Sequence, residues 1–147
     1  MLLALLVLLL LTGVAYAMRY QPPSMDSIPD LPGKVQQLAS AIARAEGWLA
    51  GGSLPQLRNN PGALRLHGET DDITQFGSPD EGWDALYKQV QAMLIGTSSY
   101  YFVDMSLIQV AQIYTGGDNP DAWAANVAAY LDLSPTSTLA DFLKQKV

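Results

Sequence analysis

Glu46 is the residue of this sequence best placed for acid–base chemistry. The periodicity of apolar residues from Lys34 to Glu46 predicts a helix, and Glu46 falls within its apolar stripe, just before Gly47. Partial burial and the negative end of the helix dipole both favour the protonated form of a carboxyl group at that position. Such a group is suited to general acid catalysis. The alternative is a helix-end residue that turns to solvent or pairs with Arg58 or Arg65.

The composition excludes several other kinds of chemistry. The chain has 147 residues and a formal net charge of −6, with eight Lys and Arg residues. This length suits a single domain, and the charge argues against nucleic-acid binding. The absence of cysteine excludes thiolate chemistry and disulfides, and a single histidine, His67, cannot form a histidine-rich metal site. We expect no metal and no organic cofactor.

Residues 1–17 have the features of a signal peptide. They are almost entirely apolar and end in an Ala-Tyr-Ala motif, the small-x-small pattern that signal peptidase recognises. No Lys or Arg precedes the apolar run, and Arg19 follows it, so a signal-anchor that stays in the membrane is the alternative. In both cases we expect an exported protein, periplasmic or extracellular, which contacts the membrane through this segment only if the segment is not cleaved. Residues 18–33 contain four prolines and are predicted to be a linker.

The predicted domain, residues 34–147, is mainly α-helical (α+β). Capping-box patterns predict helices after Ser78 and Ser106, Asn119 before a proline opens another helix, and a short last helix is expected around 139–143. Between residues 59 and 76 the helical pattern is absent. An Asn-Pro-Gly turn is followed by two short runs, 63–66 and 73–76, that are predicted to pair as a small antiparallel β-hairpin.

The order of these motifs resembles that of a known family. Segments 43–47, 58–65 and 76–86 resemble lysozyme-like muramidase and lytic transglycosylase domains of phage and bacterial origin, and the resemblance covers most of the chain from 34 to 143. It implies a lysozyme-like fold in which Glu46 is the catalytic acid and the hairpin lines a cleft for the peptidoglycan glycan. Related sequences often carry asparagine after the Pro-Gly turn, where this chain has Ala63.

Four residues are candidates for substrate binding: Trp48, Asn59, Asn60 and Tyr114. The two asparagines could supply amide groups to sugar hydroxyl and acetamido groups, or could serve only to form the turn. The tryptophan just beyond the helix is the best aromatic platform, since Trp83 and Trp123 lie on apolar stripes and are expected in the core. The segment around Tyr114 resembles the tyrosine motif of lytic transglycosylases, whose hydroxyl contacts the catalytic glutamate; core packing is the alternative.

The mechanism depends on whether a second carboxylate is present. Muramidases that hydrolyse the glycosidic bond pair the acid with another Asp or Glu, and the candidates on the hairpin are Glu69, Asp71 and Asp72. A lytic transglycosylase needs only the one glutamate, so the resemblance to that class implies that Glu46 could act without a second carboxylate. We therefore expect cleavage of peptidoglycan between MurNAc and GlcNAc by Glu46, by one of these two routes. The alternatives are a non-catalytic wall-binding or structural module and a secreted inhibitor or adaptor.

Overall fold

Helices form nearly all the regular structure in the computed structural model, which describes residues 25–65 and 72–146. This confirms the mainly helical fold class. The segment predicted as a signal peptide lies outside the described residues. In the part that is described, no helix is both long and apolar enough to span a membrane. After a 3-10 turn at Met25–Ser27, the helices are α1 Leu31–Ala45, α2 Leu54–Leu57, α3 Pro79–Ile95, α4 Leu107–Tyr114, α5 Pro120–Leu131 and α6 Leu139–Lys144.

Helix α1 begins three residues earlier than the sequence pattern predicts. Asp30 caps it by accepting a hydrogen bond from the backbone N–H of Gly33 at 3.3 Å. Pro32 is tolerated because the first-turn N–H groups of a helix have no partner within the helix. Ile28, ahead of the cap, is buried in the core. The end of the predicted linker is therefore part of the packed domain.

The predicted caps of α3 and α4 are both present, with one difference. At α4, Ser106 and Gln109 form a reciprocal capping box. At α3 the Ser78 hydroxyl accepts from the N–H of Glu81, but the Glu81 carboxylate accepts from Gly77 instead, at 2.9 Å. The Ser78 cap still starts the helix at the predicted position.

Helix α1 is central to the fold. It packs against α3 and α5, and α5 also packs against α4. Fully buried side chains from all the longer helices meet in one core, among them Leu38, Ile42, Val90, Leu94, Val110, Val127 and Phe142. The C-terminal end of α1 emerges at the edge of this core, which places Glu46 between the packed interior and the surface.

The predicted β-hairpin is not formed as a pair of strands: no strand is assigned in either described part of the chain. The two predicted runs do approach each other, since the N–H of Thr74 donates to the carbonyl of Leu64 at 2.9 Å. Where a hairpin would have further backbone hydrogen bonds between the strands, the Asn60 side-chain amide bonds to the backbone of Leu64 and of Thr74. Ala63 has φ of 48°, a left-handed conformation that interrupts an extended strand.

Two glycines allow the Asn-Pro-Gly turn to lie between α3 and α4. A Cβ atom on Gly82 would stand 1.8 Å from the Asn59 carbonyl oxygen, so only glycine permits this contact with α3. A Cβ on Gly62 would stand 2.7 Å from Leu86 and 3.0 Å from the Tyr114 hydroxyl. The turn is thereby fixed against α3 and α4.

Candidate active site

Glu46 is the C-terminal cap of α1, with its carboxyl group half-buried at the core edge. Its backbone N–H donates to the Ile42 carbonyl at 2.9 Å, and this bond completes the last helical turn. Gly47, with φ of 83°, then takes the chain away from the helix axis. The indole Nε1–H of Trp123, on α5, donates to Glu46 Oε1 at 2.7 Å. The carboxyl group is thus held by an element far away in the sequence.

Burial raises the pKa of the Glu46 carboxyl above its ordinary value of 4.5. The Trp123 hydrogen bond and the positive charge of Arg65 both act in the opposite direction, because they stabilise the carboxylate, but their effects are smaller than that of burial. The result is a glutamate that keeps its proton to a higher pH than an exposed one. It also has two groups positioned to stabilise its charge after the proton leaves.

Glu46 opens into a cleft of about 420 Å³. Three parts of the chain form its walls: the end of α1, the segments on both sides of the Asn-Pro-Gly turn, and the α4–α5 junction with α5. Besides Glu46, the polar side chains that line it include Arg65, Thr115, Asp118, Asn119 and Asn126. A cleft of this size, with a few convergent polar groups around a carboxyl of shifted pKa, has the properties of a small-ligand or catalytic site.

Tyr114 lines the same cleft, but its hydroxyl does not donate to Glu46. It donates its single proton to the Gly62 carbonyl at 2.7 Å, which ties α4 to the Asn-Pro-Gly turn. Burial raises the Tyr114 pKa well above its ordinary value, so the hydroxyl remains protonated. The centroid of its ring lies 5.1 Å from the centroid of the Trp123 ring. Tyr114 thus supports the tryptophan, and the tryptophan makes the contact to the glutamate that the resemblance assigns to a tyrosine.

The other predicted substrate contacts are not among the residues that line this cleft. The amide of Asn60 is fully buried and uses both hydrogens and its oxygen on the backbone of Leu64 and Thr74. Asn59 donates to the Phe76 carbonyl at 3.1 Å. Trp48 packs edge-to-face on Trp83, with ring centroids 6.0 Å apart. In the structure, both asparagines stabilise the turn on which the cleft is built.

Of the predicted second carboxylates, Glu69 and Asp71 lie outside the described residues. Asp72 is exposed, forms an ion pair with Arg58 and does not line the Glu46 cleft. Asp118, at the α4–α5 junction, does line it. The sequence does not distinguish Asp118, because the Gly-Gly-Asp-Asn segment has the composition of an ordinary interhelical turn.

Trp123 is the other site residue that the sequence pattern does not reveal. Its position on an apolar stripe correctly predicts burial, with only 6% of the residue exposed. A buried indole N–H needs an acceptor and a desolvated carboxyl group needs a donor, so each residue signals a missing partner. The two are 77 positions apart, and periodicity alone cannot pair them.

Comparisons with protein-family models, curated proteins and solved structures find no match to this chain. Within the described residues, no group of three or more His, Cys, Asp and Glu side chains could hold a metal ion. The function is therefore inferred from the geometry and electrostatics of the Glu46 cleft, together with the motifs around it.

Proposed function

We propose that this protein cleaves the glycan strands of peptidoglycan between MurNAc and GlcNAc, with Glu46 as the general acid. The observation that carries the proposal is the state of this carboxyl group. It is half-buried, its pKa is raised, one oxygen is fixed by Trp123, and it opens into a cleft lined by polar side chains. The motif resemblance supplies the substrate class.

The Trp123 contact assigns different roles to the two carboxyl oxygens. Oε1 accepts the indole hydrogen bond, so the proton is carried by Oε2, which can donate it to the glycosidic oxygen. When this proton moves, Glu46 becomes negatively charged. The indole N–H and the Arg65 guanidinium both stabilise that charge more than the neutral acid. Their interactions strengthen as the bond breaks, which is the condition for lowering the barrier.

The second step follows most simply from a single carboxylate. The Glu46 carboxylate takes the proton from the 6-hydroxyl of the muramyl unit, and that oxygen bonds to the anomeric carbon to close a 1,6-anhydro ring. The engagement of Asp72 with Arg58, outside the cleft, supports this route. A hydrolytic route would require another carboxylate to activate water or stabilise the oxocarbenium-like centre, and Asp118 is the described residue placed to provide it.

Mass spectrometry of digested peptidoglycan tests both steps. The parent protein should release fragments with 1,6-anhydro-muramyl ends, Glu46→Gln should release none above background, and Asp118→Asn should still produce anhydro ends. Reducing ends that disappear in Asp118→Asn would instead identify a two-carboxylate hydrolase. Binding of the parent to peptidoglycan without any cleavage would support a non-catalytic wall-binding module and contradict the proposal.

The substrate lies outside the inner membrane of a bacterium, so the proposal also requires export. We propose that residues 1–17 direct it. N-terminal sequencing of protein recovered from the periplasm or medium should then begin at Met18, whereas uncut chain in the membrane fraction would indicate a signal-anchor. Recovery only from the cytoplasm would contradict export by either route.

A further inference from the structure

Ala63 has a backbone conformation that its residue type disfavours. Its φ of 48° lies in the left-handed region, where the Cβ atom crowds the following carbonyl oxygen. Asparagine and aspartate tolerate this region better, because their short polar side chains can bond to the local backbone. Within the described parts of the chain, the other non-glycine residues with positive φ are all of these two types: Asp30, Asn59, Asn119 and Asp132. Ala63 is the exception among them.

Hydrogen bonds to Asn60 fix this conformation whatever residue type stands at position 63. The N–H of Ala63 donates to the Asn60 carbonyl at 3.1 Å, and the next N–H, that of Leu64, donates to Asn60 Oδ1 at 2.8 Å. Asn60 is itself fully buried, so its position is set by the surrounding structure. A substitution at position 63 should therefore change the side chain and leave the path of the backbone as it is.

The size of the side chain at position 63 matters because Ala63 lines the Glu46 cleft. Asparagine would suit the left-handed backbone better, but it would place a side-chain amide where alanine has only a methyl group. An unfavourable backbone conformation that the surrounding structure holds in place is typical of functional sites. The alanine thus combines a conformational cost with free space in the wall of the cleft.

We propose that Ala63 is a specificity-determining residue, which keeps the cleft open to muramyl units that carry a peptide stem. The inference rests on the proposed function, because the glycan strand is what supplies sugars with and without such a substituent. Arg65 supports the choice of substituent: it lines the same cleft, and its guanidinium can pair with the carboxylates of a peptide stem. The parent should therefore cleave strands with and without stems, whereas a larger side chain at position 63 should select against the stem-bearing ones.

Ala63→Asn tests the proposal, with kcat/KM measured on two substrates. One is soluble peptidoglycan strands that keep their peptide stems, and the other is the same strands after an amidase has removed the stems. The variant should lose about tenfold or more in kcat/KM on the stem-bearing strands, since small steric changes in a pocket alter discrimination by about that factor. Its loss on the stem-free strands should be much smaller. Its Tm should be no lower than that of the parent, because asparagine tolerates the left-handed region.

Ala63→Gly is the matched control. Glycine also adopts a positive φ without steric cost, but it leaves the cleft at least as open as alanine does. Both variants therefore suit the backbone conformation, and only Ala63→Asn adds bulk to the cleft wall. The kcat/KM of Ala63→Gly should stay close to that of the parent on both kinds of strand.

The outcomes separate this inference from the proposed function. If the parent cleaves both kinds of strand and Ala63→Asn keeps the parent's ratio of kcat/KM between them, the specificity role is refuted and the catalytic proposal stands. An equal selective loss in Ala63→Gly would also refute it, because the effect would then not follow the size of the side chain. If the parent cleaves neither kind of strand, the proposed function is contradicted and this inference with it.

Discussion

The two ends of α1 each bury an ionisable side chain, with different results. Lys34, in the first turns, is 2% exposed, and Glu46 caps the other end. Desolvation moves both pKa values toward the neutral form, lowering that of Lys34 and raising that of Glu46. The Lys34 ammonium donates to the Phe142 carbonyl at 3.0 Å and lies 4.6 Å from the centroid of the Phe142 ring. Helix α1 thus carries two side chains whose pKa values are shifted by burial but whose surroundings differ.

The comparison shows that a shifted pKa beside a cavity does not by itself identify a functional site. Lys34 also borders a cavity, of about 590 Å³. There the polar side chains donate to backbone carbonyl groups: Lys34 to that of Phe142, and Gln145 to that of Leu131 at 3.0 Å. These bonds hold α6 against α1 and α5. At the other end, Trp123 bonds to the carboxyl group itself, and the carboxyl opens into the cleft.

Glu46→Gln should cause the largest loss of activity of the variants considered, and at neutral pH it should increase stability. The amide still accepts the Trp123 hydrogen bond but cannot donate a proton to the leaving oxygen, so the cleavage rate should fall by about 10²- to 10⁴-fold. The folded pKa of Glu46 lies above the ordinary 4.5, so the parent loses stability as pH rises from 4.5 through the raised value. Above that range the variant should melt at a higher temperature than the parent.

Thermal unfolding followed by circular dichroism at several pH values checks this pair of effects. The difference in Tm between Glu46→Gln and the parent should vanish below pH 4.5, where the carboxyl is protonated in both the folded and unfolded chains. Asp84→Asn is the control, as Asp84 is exposed on α3. An equally active Glu46→Gln, or one that melts lower at neutral pH, would contradict the assignment of Glu46 as a desolvated acid.

Lys34→Ala should show the reverse pattern, a loss of stability without a change in the cleavage step. The substitution removes a buried four-carbon stem and leaves a cavity beneath α6, which should lower the free energy of unfolding by about 2–4 kcal/mol. Urea denaturation measures this, with Lys88→Ala, at an exposed site on α3, as control. If Lys34→Ala abolished cleavage at a temperature where it remains folded, the proposed division between the two ends of α1 would be wrong.

Trp123→Phe tests how the glutamate is tuned. Phenylalanine keeps an aromatic ring against Tyr114 but removes the N–H that stabilises the Glu46 carboxylate. Because that hydrogen bond lowers the Glu46 pKa, its loss should raise the pKa further and move the alkaline limb of the pH–rate profile to higher pH. The maximal rate should also fall, since the developing charge loses a donor. A limb that shifts to lower pH would contradict the assigned role of the indole.

Tyr114→Phe should have a smaller effect, confined mainly to stability. It removes the hydrogen bond to Gly62, which should cost about 1 kcal/mol, while the ring stays against Trp123. The alkaline limb of the pH–rate profile should move less than in Trp123→Phe, because the hydroxyl does not donate to Glu46. A rate loss as large as that of Glu46→Gln would show that the hydroxyl acts on Glu46 directly, in line with the contact that the family resemblance implies.

Asp72→Asn should have the smallest effect on both the cleavage rate and the free energy of unfolding. The Asp72–Arg58 ion pair is exposed, and pairs of this kind contribute about 0–1 kcal/mol. We expect the variant to retain more than a tenth of the cleavage rate. A larger loss, with no change in Tm, would bring Asp72 back as a second carboxylate that reaches the substrate when the glycan is bound.

The sequence predicts those features of the fold that depend on neighbouring residues. Helices with a cap and an apolar stripe, such as those after Ser78 and Ser106, begin where the pattern indicates. The four-residue helix Leu54–Leu57 was not predicted, because it is too short to show a periodicity. The predicted strand pairing is wrong, since the choice between a ladder and the Asn60 side chain depends on a left-handed conformation at residue 63, which alanine disfavours.

The sequence predicts the central residue of the candidate site and one charged neighbour, Arg65, but not the other residues around Glu46. An acidic residue on an apolar stripe is visible along the chain, so Glu46 stands out. Which side chains then approach it depends on how α5 crosses α1, and neither Trp123 nor Asp118 carries a local signal for that contact. Asparagines in the turn suggested sugar binding because their amides suit it, yet buried backbone groups needed the same amides.

The bonds from Asn60 have a consequence for how the chain can vary. They clamp the backbone at Leu64 and Thr74, and two residues that line the cleft, Arg65 and Ile73, lie directly beside these clamped positions. The number of residues between Arg65 and Ile73 should therefore have little effect on the shape of the candidate site. Doubling it should cost only about 0.6 kcal/mol in closure entropy. An affinity tag grafted between Arg65 and Ile73 should therefore leave the contact between Trp123 and Glu46 in place.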